Sequence, residues 1–114
     1  MSDTQRSVQD VRKFAEAVAS KKGWVVNGES AFTETILTGL LTNLENLGYY
    51  QCPCRVSWDE RDKDRDIICP CDYSAEDVTE YGHCYCALFL SPEFAASGRE
   101  PGSIPERRPE EFYP

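Results

Sequence analysis

The sequence predicts a mainly α, small single domain whose helices are joined by cysteine-bearing loops, and three observations carry that prediction. Two segments ahead of residue 50 place apolar residues at helical spacing. All six cysteines fall between residues 51 and 86, as the pairs Cys52-Pro53-Cys54, Cys69-Pro70-Cys71 and Cys84-Tyr85-Cys86. Beyond residue 90, prolines and glycines recur too often for a long regular element. A chain of 114 residues supports one modest core, small enough for a metal centre to matter to its stability. The expected divisions are a two-helix part at 7–48, a cysteine part at 49–90 and an extended tail at 91–114.

From Ser7 to about Lys22, Val8, Val11, Phe14, Ala15 and Val18 recur at three- and four-residue steps. Gly23 follows Lys21-Lys22, a stop signal with favourable charge at the helix end. Residues 24–28 are too short and too punctuated to be more than a connector or a stub of extended chain. The second helix begins near Glu29-Ser30, with Ser30 or Thr33 as cap, and carries Phe32, Ile36, Leu37, Leu40, Leu41, Leu44 and Leu47 up to Gly48. Both helices read as core elements that cover the cysteine loops.

The charges at 59–66 largely alternate in sign, which predicts a solvated loop or helical turn. Residues 74–81 read as a short helix with Ser74 as N-cap, acidic residues in its first turn and Gly82 at its end. The apolar run 87–90 is too short for periodicity to separate strand from buried helix. The tail is expected to run extended over the surface.

The net charge of −8 and sequence pI near 4.6 argue against nucleic acid as a partner. No run of about 18 apolar residues marks a membrane span, and residues 1–6 contain no apolar leader, so the expected location is cytoplasmic. In a reducing compartment six clustered cysteines favour metal ligation or redox chemistry over a structural disulfide framework.

A four-thiolate site for zinc or an iron–sulfur cluster leaves two of the six thiols over, the number one disulfide requires. Two zinc ions with shared ligands are the other way to use six. Structural zinc sites usually separate paired ligands by two to four residues, so a single intervening residue fits them poorly. A four-iron cluster takes each thiolate on a different iron and accepts less regular spacing.

The order of these pairs resembles the catalytic subunit of ferredoxin:thioredoxin reductase. That family runs Cys-Pro-Cys, Cys-Pro-Cys, then Cys-His-Cys before an apolar Leu-Phe segment, here Ala87-Leu88-Phe89-Leu90. The tail Ile104-Pro105-Glu106-Arg107-Arg108-Pro109 is similar as well. The resemblance implies that Cys52, Cys69, Cys71 and Cys84 bind a [4Fe-4S] cluster. It implies that Cys54 and Cys86 form the adjacent redox-active disulfide, with Cys54 as nucleophile and Cys86 next to the cluster. Ferredoxin is the implied donor, and thioredoxin or a thioredoxin-like or glutaredoxin-like protein the acceptor, with a small variable subunit as a further possible partner.

The chain departs from the pattern where the family histidine stands, since that position holds Tyr85 and the single histidine is His83. His83 is therefore expected either to handle protons from the other side of Cys84 or only to bind backbone. Tyr85 is expected to pack. Arg55, Arg61, Lys63, Arg107 and Arg108 are the basic residues from which a docking patch for an acidic ferredoxin would be drawn. A structural zinc interaction module and a simple iron–sulfur electron carrier are the competing readings.

Overall fold

The computed structural model describes residues 7–114 as a mainly helical domain; the reading of residues 1–6 lies outside the described residues. Helix α1 spans Val8–Lys22. Ser7 Oγ accepts from the Asp10 N–H at 3.3 Å, and the Asp10 carboxylate accepts from the Ser7 N–H at 3.0 Å, a reciprocal capping box. Gly23 closes the helix in the left-handed conformation. Helix α2 spans Ser30–Leu47 and is capped by neither expected residue: Glu29 accepts from the Ala31 N–H at 3.1 Å. Thr33 instead lies buried within the helix and donates its hydroxyl to the Asn27 carbonyl at 2.8 Å.

The two helices pack Val11, Ala15 and Ala19 with Ile36, Leu37 and Leu40 in one core. That core continues without a break into Cys52, Ile67, Val78, Cys84, Cys86, Leu88 and Phe89. The cysteines are thus built into the apolar interior, against which the helices lie.

Strand β1, Val25–Val26, pairs antiparallel with β2, Phe89–Leu90, placing Val25 opposite Leu90 and Val26 opposite Phe89. The stub of extended chain and the undecided apolar run are two halves of one ribbon. Their hydrogen bonds span most of the chain, so local periodicity could not reveal them.

The charged stretch folds as α3, Arg61–Asp64, followed by a 3-10 turn, Arg65–Ile67. Its solvated-face expectation is corrected at two positions. Asp64 is buried and accepts from the Tyr49 hydroxyl at 2.6 Å, the Trp58 N–H at 2.9 Å and the Ser57 hydroxyl. Asp66 is buried against Arg108, at 2.8 Å from its Nε.

Helix α4 covers Ser74–Tyr81, but Tyr73 is the cap residue; Ser74 donates its hydroxyl to the Cys71 carbonyl at 2.7 Å, tying the helix to the second cysteine pair. Gly82 ends it as expected, with φ of 86°. After Ser91 comes the short α5, Pro92–Ser97, then irregular chain and a 3-10 turn, Glu110–Phe112. The tail does not simply cross the surface. Glu106 and Arg107 are partly buried and Arg108 is buried, so three consecutive charged residues dock into the domain.

Candidate metal and thiol centre

Backbone hydrogen bonds place the first two cysteine pairs against each other and the third against β2. The Cys52 N–H donates to the Ile67 carbonyl at 2.8 Å and the Cys69 N–H to the Tyr50 carbonyl at 2.7 Å, so the first and second pairs lie side by side. The Cys69-Pro70 peptide is cis. The third pair sits in a turn folded back on β2: Cys84 N–H donates to the Phe89 carbonyl at 3.0 Å and Ala87 N–H to the Cys84 carbonyl at 2.8 Å. Helix α2 supports the first pair through Gly39, where a Cβ would stand 2.9 Å from Pro53.

Five cysteines, Cys52, Cys69, Cys71, Cys84 and Cys86, line a cavity walled by Ile36, Leu40, Leu88 and Phe89. Cys54 is absent from that lining and opens instead onto a broad groove between β1, the start of α2 and the segment following α5. Cys86 borders both spaces. Its sulfur lies 2.9 Å from Cys52 Sγ, and the sulfurs of Cys52, Cys54 and Cys86 all fall within 4.8 Å of one another. All six cysteines are unpaired. Cys86 is thus in direct sulfur contact with Cys52, one of the four expected ligands, while Cys54, its expected disulfide partner, completes the same triad.

Protons are held unequally across this group. Hydrogen bonds from Cys52 and then Cys86 hold the Cys54 thiol down to about 4 against partial burial, and the Arg55 charge adds to them. Cys52 is pushed up to about 11, first by its hydrogen bond to Cys54. Cys86 is raised by its bonds to Cys52 and Cys54 and by burial. Burial raises Cys84 to about 11 and lifts Cys69, and it also lifts Cys71 despite the opposing Arg55 charge. The five cavity-lining sulfurs, four of them buried, form a donor set that could hold a thiophilic metal centre. The Phe89 N–H, 3.4 Å from Cys84 Sγ, adds a backbone donor toward one sulfur.

His83 is buried, its Nδ1 2.8 Å from the Cys84 carbonyl oxygen and its ring edge-on to Phe94 at 5.4 Å. It lines neither the cavity nor the groove. Tyr85 packs as expected, its ring centroid 4.4 Å from the Arg55 guanidinium carbon.

The basic residues separate into two groups. Arg55 and Arg108 are buried in ion pairs with Glu106 and Asp66, and Arg107 reaches Asp77 at 2.8 Å as well as Glu80 and Glu76. Only Arg61 and Lys63 of the five named are exposed, which corrects the expected docking set. Arg55 and Glu106 contribute to the sulfur site in a way the sequence reading missed. The available signal was an arginine directly after the first pair, in a chain whose cysteines must be anionic to bind metal.

Among known proteins, the family model described as ferredoxin thioredoxin reductase catalytic beta chain matches residues 1–107. The chain is 31% identical over 99 residues to a chloroplastic ferredoxin-thioredoxin reductase catalytic chain of Spinacia oleracea, a match covering 85% of this chain and 64% of that protein. It is 32% identical over 102 residues to that of Glycine max, covering 85% of this chain and 66% of the other. A catalytic chain of Synechocystis is 30% identical over 96 residues, with 81% and 78% covered. The chain thus spans somewhat less than two-thirds of the length of the two plant relatives. With the paired cysteines gathered at one centre and this match across nearly its whole length, the chain belongs to the ferredoxin thioredoxin reductase catalytic beta chain family, whose matched members are oxidoreductase catalytic chains.

Proposed function

We propose that this chain is a disulfide reductase that draws single electrons from ferredoxin and reduces thioredoxin or a thioredoxin-like or glutaredoxin-like protein. The observation that carries this reading is the division of the cysteines between a small apolar cavity and a broad groove, with Cys86 common to both. In this reading Cys52, Cys69, Cys71 and Cys84 hold a [4Fe-4S] cluster, and Cys54 and Cys86 form the redox disulfide. The cluster, when bound, supplies one-electron chemistry next to a two-electron disulfide.

Cys54 is the exposed member and meets the partner. Its thiolate attacks one sulfur of the partner disulfide; a Cys54–partner disulfide forms, and the partner's other sulfur leaves as a thiolate that takes up a proton. Cys86 thiolate then attacks Cys54 Sγ, which releases the second partner sulfur and re-forms the Cys54–Cys86 disulfide. The partner gains two electrons, so two single-electron deliveries restore the starting dithiol. His83 is the proposed proton-handling group, acting from its buried position beside Cys84. The same reading sets the protein in a reducing cytoplasm, with a small variable subunit as an additional partner.

Anaerobic purification followed by a visible spectrum and iron, sulfide and zinc analysis tests the proposal. About four irons and four sulfides per chain with broad brown absorbance are expected. One zinc and a colourless protein would overturn it in favour of a structural zinc module. A cluster-bearing protein unable to reduce a thioredoxin disulfide would be an electron carrier instead.

A further inference from the structure

Arg55 follows the first cysteine pair, and its side chain has no exposed surface. A buried guanidinium is costly unless its N–H groups are matched. Nε donates to the two Glu106 carboxylate oxygens at 3.1 and 2.9 Å, and Nη2 donates to one of them at 2.7 Å. Nη1 points the other way, 3.2 Å from Cys71 Sγ and 4.0 Å from Cys52 Sγ. The rings of Tyr85 and Tyr73 flank the guanidinium carbon at 4.4 and 5.3 Å. A neutral thiol is a weak acceptor, whereas a thiolate accepts a charge-assisted bond. A buried N–H aimed at these two sulfurs therefore matches ligands that are anionic in the working protein.

We propose that Arg55 is a positioning residue that tunes the sulfur centre: clamped by Glu106, its fixed positive charge stabilises the reduced form of the group held by Cys52 and Cys71. This rests on the cluster-binding reading above. Each electron accepted adds one negative charge shared with the ligand sulfurs, next to the guanidinium and within an apolar wall of Ile36, Leu40, Leu88 and Phe89. A low local dielectric makes that attraction strong. The clamp comes from the tail, where Glu106 also accepts from the Arg108 N–H at 2.9 Å and from the Tyr113 hydroxyl. Glu106 is the opposing charge, on the far side of the guanidinium from the sulfurs.

The test compares wild type with Arg55→Gln, Arg55→Lys and Glu106→Gln, each purified anaerobically and analysed for iron and sulfide. Readouts are the midpoint potential by spectroelectrochemical titration and the iron–thiolate stretching bands in resonance Raman spectra. Loss of the cation in Arg55→Gln should lower the midpoint by a tenfold change in the reduction equilibrium, about 59 mV for one electron, and raise the stretching frequency. Arg55→Lys should recover most of the potential. Glu106→Gln keeps a carbonyl acceptor for Arg55 but removes the opposing charge, so its midpoint should rise. Loaded Arg55→Gln with wild-type midpoint and bands would overturn the proposal, as would Glu106→Gln shifting downward, the pattern of a purely structural pair. If Arg55→Gln fails to fold, Glu106→Gln decides the matter, an upward shift supporting the tuning role and an unchanged or lower midpoint overturning it. Wild-type protein without iron would overturn the cluster reading itself, whereas iron-loaded variants with no shift defeat the tuning role alone.

Discussion

Cys54 is exposed and His83 is buried, and their substitutions should separate. Exposure makes Cys54 the cysteine that iodoacetamide reaches first, and Cys54→Ser should abolish that fast labelling and thioredoxin reduction while leaving iron content unchanged. Slow labelling of the wild type, or normal turnover in the variant, would remove Cys54 from the nucleophile role. His83→Ala should lower turnover and alter its pH profile if the imidazole moves protons. An unchanged profile would leave His83 as an anchor for the Cys84 carbonyl and a packing partner of Phe94.

The elements are held in place by close approaches as much as by hydrogen bonds. Gly82 ends α4 with φ of 86°, and a Cβ there would stand 2.5 Å from the ring of buried Phe94 in α5. Gly98 has a similar φ of 74° but nothing within 4 Å of its would-be Cβ. Gly98→Ala therefore carries backbone strain alone, about 1 kcal/mol, while Gly82→Ala adds overpacking and should cost about 2–3 kcal/mol. Urea denaturation of the two variants checks this, and equal losses would show that crowding at Phe94 is relieved freely. Gly39 plays a related part in the middle of α2, since it lets Pro53 approach the helix and seats the first cysteine pair against the core.

Across the whole molecule, the tail is tied back by ion pairs to three separate regions. Glu106 reaches the arginine after the first cysteine pair, Arg107 reaches α4, and Arg108 reaches Asp66 in the 3-10 turn. These contacts make stability depend on pH. Burial opposes ionisation of Glu106, but hydrogen bonds from Arg55, Tyr113 and the Arg108 N–H together with the Arg55 charge outweigh it and hold the carboxyl at about 2; Asp66 is lowered in the same way, its burial outweighed by Arg108 and Tyr73 together. An unfolded glutamate titrates near ~4.3. The folded state thus binds fewer protons, so its stabilisation is present above pH ~4.3 and is lost as pH falls toward 2. Glu106→Gln should lose part of that dependence, so the urea-midpoint gap between wild type and variant should narrow from about pH 5 to about pH 3. A gap that stays constant over this range would show that Glu106 does not contribute through its charge.

The sequence by itself determined what is local or compositional. It established α1 and α2 from their apolar spacing, the glycine stops, the mainly helical class and the confinement of all cysteines to one centre, because capping, period and clustering act over a few residues. Apart from the caps of α2 and α4, its errors fall where a partner lies far along the chain. Alternating charge at 59–66 reads as solvated, yet Asp64 and Asp66 are internal because Tyr49 and Arg108 satisfy them. A proline-rich tail reads as surface chain, yet it buries Arg108 and orients Arg55 through Glu106. The tertiary structure alone decided which sulfurs line the small cavity, which reach the groove and where the buried cation sits. Desolvation and ion pairing depend on distances between residues that no local pattern encodes.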